Sequence, residues 1–174
     1  MQSASDRLEV PQGEQTLVSV GTMSSVVGDL PEEAFENLLV VSPSPPSRIE
    51  RVIQDAGGDP NRCGHVPVTG SPVTYDGPLW TTKPVAPSDL TGISIRYSTA
   101  MKHVASGSGW FCLDGLQLLL MYADRDRVSS FVSELAHRTR GREVTGVYGI
   151  ASDTVDDETY ELLRPAFDAT VDRR

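Results

Sequence analysis

Lysine is almost missing from this chain: only Lys83 and Lys102 stand among its fifteen cationic side chains, and the other thirteen are arginines. No lysine occurs between residues 1 and 82, so any phosphate loop in the first half lacks its usual cation. Positive charge is scarce altogether. Twenty-four Asp and Glu residues leave a formal net charge of −9, and that field argues against direct binding to nucleic acid or to anionic membrane. Molar salt would screen the repulsion within a few ångströms. Cysteine is limited to Cys63 and Cys112, too few for a disulfide framework. No apolar run approaches the roughly 18 residues of a membrane span, and MQSASDRLEV lacks the basic-then-apolar order of a signal peptide. A cytoplasmic protein is the expectation. Abundant acids with almost no lysine suit a salt-rich cytoplasm, the alternative being an ordinary acidic protein from a GC-rich genome.

A chain of 174 residues is long enough to bury a core without staples. Residues 1–15, polar with Pro11 and Gly13, read as a loose arm, and residues 16–174 as one domain. Leu17–Val20, Leu38–Ser42, His65–Val68, Trp110–Leu113, Val144–Ile150 and Phe167–Val171 read as strands, several apolar on both faces. Helical spacing or capping marks Leu30–Asn37, Ser47–Ala56, Asp89–Ala105, Arg127–Thr139 and Asp156–Leu163. Residues 70–87, rich in Pro, Gly, Thr and Ser, form the longest irregular stretch, with Tyr75 and Trp80 expected to pack it down as a flap. Alternation of this kind means a three-layer α/β/α fold with a mostly parallel sheet.

Three segments carry a family likeness: LVSVGTMSSVVGD from Leu17, LLVVS from Leu38, and the run from Gly109 through WFCLD to RPAFDATV. Together they resemble the KaiC/RecA-type P-loop ATPase core, in particular the haloarchaeal HTR-like proteins, over about residues 16–172. The resemblance implies a RecA/KaiC-like fold and a nucleotide site, and the residues can be checked against that chemistry. A working loop, G-x-x-x-x-G-K-[ST], surrounds phosphates with backbone N–H groups, neutralises them with Lys and holds Mg²⁺ with the hydroxyl. Counting from Gly21, Val26 takes the second glycine position and Val27 the lysine position. Valine neutralises nothing. Gly21, Thr22, Ser24 and Ser25 remain as the degenerate phosphate-loop residues. Asp114, ending WFCL, matches the position that supports Mg²⁺ in the family, or else simply caps the turn at Gly115. The family's catalytic glutamates follow the second strand, where this chain has Ser42-Pro43-Ser44-Pro45-Pro46.

Phosphoryl transfer needs lysine, metal and base acting together, so no catalytic residue is assigned. The expectation is a non-catalytic RecA/KaiC-like module, acting in signalling or transcription-linked regulation through a protein partner or self-association. A weak ATP/Mg²⁺ switch built on Gly21–Ser25 and Asp114 is the alternative. DNA association is a third, requiring a local arginine stripe. Cys63-Gly64-His65 is two candidate ligands without a second pair, better read as turn and strand. His103 and His137 have no evident partner. Asp124–Arg127 reads as a helix cap, with a remote possibility of an arginine reaching a neighbour's nucleotide. Asp153, Asp156 and Asp157 fit a helix start as well as a cation cluster. Leu118–Tyr122 is the apolar segment that an interface could use, with core as the default.

Overall fold

Residues 6–174 are described by the computed structural model. The unbroken apolar runs become strands buried on both faces: β1 (Gln15–Ser19), β2 (Leu38–Ser42), β3 (Cys63–Pro67), β5 (Trp110–Leu113) and β6 (Thr145–Ile150). Two edge strands are short, β4 (Trp80–Thr81) and β7 (Ala169–Asp172). All seven lie parallel in one sheet, in the order β4-β3-β2-β5-β6-β1-β7. Parallel neighbours require crossovers, and these supply the two outer layers.

Side chains along each strand alternate between two cores. On β2, Leu38 and Val40 join one core with Phe35, Ile49 and Ile53, while Leu39 and Val41 join the other. The first is covered by α1 (Pro46–Asp55) and by 3₁₀ turns at Val27–Asp29 and Glu32–Glu36. The second lies under α2 (Leu90–Met101), α3 (Leu116–Tyr122), α4 (Arg125–Gly141) and α5 (Asp157–Leu163). Tyr97, Phe111, Tyr148 and Phe167 run through it as successive tilted or edge-on pairs, with centroids 4.9–5.8 Å apart. That spacing is the favourable one for aromatic quadrupoles.

One polar cluster fixes the register of β1 against β6. Gln15 is fully buried; its Nε2 donates to the Val144 carbonyl, and its Oε1 accepts from the Tyr148 hydroxyl at 2.7 Å. The amide occupies the space beside Gly146, where a Cβ would come within 1.9 Å of Gln15 Oε1.

Some sequence expectations need correction. Leu30–Asn37 is not an α-helix; it is a single 3₁₀ run, Glu32–Glu36, ended by Asn37 at φ −163°. Ala34 and Phe35 must both be buried, while the extended Asn37 side chain reaches the main chain at His103 and Ala105. Only one tight turn fits between those demands. The arm expected over residues 1–15 is not loose where it is described: Leu8 is buried and its N–H donates to the Asp29 carbonyl. Arg7 meanwhile caps α1 through the Ala56 carbonyl at 2.7 Å. Residues 1–5 lie outside the described residues. The helix expected over Asp89–Ala105 ends four residues early, at Met101, and β4 and α3 add to the expected elements; elsewhere the boundaries shift by a residue or two, as cap geometry decides. Asp89, Asp124 and Asp156 each accept a main-chain N–H at a helix start. The 70–87 stretch is held by Leu79, which is buried, and by Tyr75, whose hydroxyl donates to the Glu50 carboxylate.

His65 is fully buried on β3, 2.9 Å from the Ser42 hydroxyl through Nε2, with Nδ1 lacking a hydrogen-bond partner. Burial pushes its pKa from 6.5 down to about 4. The unfolded chain therefore binds a proton that the folded one rejects, and stability is lost as pH falls from 6.5 towards 4. The loss should reach about 3 kcal/mol. Urea unfolding of His65→Leu at pH 7 and pH 4.5 should show a smaller pH effect than wild type, and equal effects would refute the assignment.

Candidate functional site

Ligands in open α/β sheets collect beyond the carboxyl ends of strands, where successive crossovers leave on opposite faces. Here β1 and β2 lead into the layer of 3₁₀ turns and α1, whereas their neighbours β6 and β5 lead into the helical layer. The carboxyl ends of β1, β5 and β2 are thus the place to look. The predicted loop and Asp114 both sit there.

Ser25 Oγ donates to Asp114 Oδ2 at 2.7 Å. Asp114 is 8% exposed. Desolvation raises its pKa, opposed by the Ser25 hydrogen bond and by the nearby N–H dipoles of Val26 and Gly115. Gly115 turns the chain out of β5 at φ +86°, a conformation open to glycine. A Cβ there would lie 3.1 Å from Pro43, the residue that follows β2. Gly149 on β6 forms the floor, since a Cβ would stand 2.6 Å from Asp114 Oδ1 and 3.0 Å from Val26 Cγ1.

The loop follows from these contacts. Val26 and Val27 are fully buried among Val18, Val20, Val40, Cys112 and Val147. The Ser24 N–H bonds the Gly21 carbonyl, and the Val27 N–H bonds Ser25 Oγ. Two amides that a phosphate cradle would need are thus committed internally. A 3₁₀ turn replaces the helix whose N-terminus would face the phosphates. These residues do not fit MgATP in this arrangement.

Of the predicted site residues the structure joins Ser25 to Asp114. Gly21, Thr22 and Ser24 form an exposed turn apart from that contact, with Met23 at φ +70° and 96% exposed. The turn after Asp114 is not capped by its carboxylate: α3 begins without a side-chain cap hydrogen bond, and the Gly115 N–H donates to the Gly149 carbonyl at 3.2 Å. Sequence reasoning missed Gly149 and Pro43. A glycine inside a buried strand, as in VYGI, was the available signal for a close backbone approach.

The remaining candidates separate. Cys63 is buried, with burial and the charge of Asp59 raising its thiol to about 12, which suits neither a nucleophile nor a metal ligand. Among the described residues no group of three His, Cys, Asp or Glu side chains is placed to hold a metal ion. His103 lies against Trp80 and His137 on the exposed side of α4. Asp124 caps α4, and Arg125 pairs with Glu158 at 3.0 Å. Asp153 pairs with Arg174, and Asp156 caps α5. In Leu118–Tyr122, Leu119 is core, whereas Met121 and Tyr122 are 75% and 55% exposed.

Comparison with known proteins reaches the same fold. The family of unknown function DUF7504 matches residues 65–172. This chain belongs to that family. The matched span holds Asp114 but begins after the Gly21–Gly28 loop. No curated protein matches the chain. Among solved structures, a KaiC-like protein from the hyperthermophilic archaeon Pyrococcus horikoshii OT3 is similar at a TM-score of 0.59 and 13% identity, over 94% of this chain and 74% of the other. That likeness establishes a KaiC/RecA-like fold. Among the described residues no helix is long and apolar enough to cross a membrane.

Two substitutions test the closed loop. Ser25→Ala removes a donor that lowers the Asp114 pKa, so carboxyl NMR titration should show it rising further, with about 1–2 kcal/mol lost at pH 7. Val27→Lys restores the missing cation at a fully buried position and should cost about 3 kcal/mol or more in chemical denaturation. A cost below about 0.5 kcal/mol would mean that the loop opens readily.

Proposed function

We propose that this protein is a non-catalytic KaiC/RecA-like module that acts by binding a protein partner or a second copy of itself. One observation carries the reading: the position of the phosphate-gripping lysine is a fully buried valine, Val27, and the neighbouring carboxylate is bonded from within by the Ser25 hydroxyl. Phosphoryl transfer draws on positioning and charge neutralisation together, and neither is supplied at this loop. Met23, Met121 and Tyr122 support the binding role. They expose apolar surface on the loop after β1 and at the end of α3, and aromatic and Met side chains are enriched at interfaces.

The finer kinship we propose is with haloarchaeal HTR-like proteins, supported by the order WFCLD, long helix, strand and RPAFDATV. Signalling or transcription-linked regulation in a salt-rich cytoplasm is the role that kinship suggests. The acidic charge and near-absence of lysine agree with such a setting.

Calorimetric titration with ATP and Mg²⁺ in molar KCl should give no saturable heat at concentrations up to about 1 mM. Saturable binding abolished by Asp114→Ala would replace this reading with that of a weak nucleotide switch.

A further inference from the structure

The amino-terminal edge of the sheet, opposite Asp114, carries a second concavity with a different character. Its volume is about 420 Å³, within the range of small-molecule sites. It opens beside the first residues of β2 and β3, between the edge strand β4 and the end of α2. Trp80 forms one wall. Its indole packs against Gly64, where a Cβ would come within 3.0 Å of Trp80 Cε3, yet 44% of the residue remains exposed. The fold thus supports one side of the ring and leaves the rest open.

His103 packs directly against this indole, its ring centroid 5.6 Å from that of Trp80 and inclined by 53°, so the two rings form one continuous aromatic wall. Its backbone is fixed by Asn37, whose Nδ2 donates to the His103 carbonyl while Oδ1 accepts the Ala105 N–H. Ala100 and Val104 make the inner surface apolar. At the rim, Arg62 and Glu36 form an ion pair with both side chains more than half exposed. Exposed pairs of this kind are worth little and rearrange easily.

We propose that this cavity binds a small, uncharged, planar heteroaromatic ring of about the size of a purine nucleoside. The exposed part of the indole selects flatness, since stacking on it requires a planar π-face and accepts any. The Arg62 and Glu36 charges cancel, so an ion gains no net attraction there. Side by side the two groups offer donors and acceptors that suit a ring edge bearing both. The proposal is independent of the phosphate loop and adds a ligand site to the binding module.

Adenosine is the probe, added to the full chain and followed by ¹H–¹⁵N NMR of the indole N–H signals. The chain has two tryptophans, and Trp110 is buried at 5% exposure, so it serves as the internal control. The Trp80 signal should move saturably with a midpoint below about 1 mM while Trp110 stays in place, and ribose should move neither. By calorimetry, Trp80→Ala should weaken binding about tenfold or more, and Trp80→Phe should retain most of it. Ser133→Ala, on the exposed side of α4 and outside the cavity, should change nothing. Absence of a saturable Trp80 shift, unchanged affinity in Trp80→Ala, or loss of binding in Ser133→Ala would overturn the proposal. ATP binding at the Asp114 end would leave all these outcomes readable, because its sensitivity lies in Asp114→Ala.

Discussion

Asp114 joins two parts of the chain that are far apart in sequence. Its carboxylate takes the Ser25 hydroxyl, with the Val26 and Gly115 N–H dipoles nearby, and its burial makes that contact matter. A carboxylate 8% exposed without those donors would carry a desolvation cost of several kcal/mol. With them, the loop leaving β1 is tied to the end of β5. Val26 and Val27 then fall into the core beneath, and a short 3₁₀ turn suffices where a helix would otherwise begin.

This arrangement shows how a nucleotide-type fold can keep its sheet while its phosphate loop closes. In a working loop, successive N–H groups and a lysine face outward to an anion. Here the Ser24 and Val27 N–H groups bond within the loop, the Ser25 hydroxyl takes the protein's own carboxylate, and apolar side chains fill the remaining volume. The loop is stabilised by burial, which is cheap to maintain and independent of ligand. The strand order sets Asp114 two strands from β1, with β6 between them. Exposed apolar side chains remain at the ends of elements, at Met23, Met121 and Tyr122, where the sheet itself does not need them.

Legibility varied with how local each signal was. LLVVS and WFCL announced doubly buried strands because nothing polar interrupts them, and α4 was readable from Asp124 and the spacing of Val128, Val132 and Leu135. Leu30–Asn37 misled, since its local composition suits a helix while the long-range tie from Asn37 to His103 and Ala105 enforces an extended exit. The N-terminal residues misled for the same reason: Leu8 has no local pattern, and its burial comes from the Asp29 region. At the site, the missing lysine and the pairing of a glycine turn with Asp114's strand were legible. The partnership of Ser25 with Asp114 was not, because 89 residues separate them.

Composition and local pattern alone determined the parallel α/β architecture, the acidic surface and the absence of a cation at the phosphate loop, because strand burial and charge are properties of residue type. Only the tertiary structure decided that the loop closes on Asp114, that Gly149 and Pro43 line it, and that Trp80 packs against Gly64 and His103. Those depend on which strands become neighbours, and strand adjacency is set by the packing of the whole sheet.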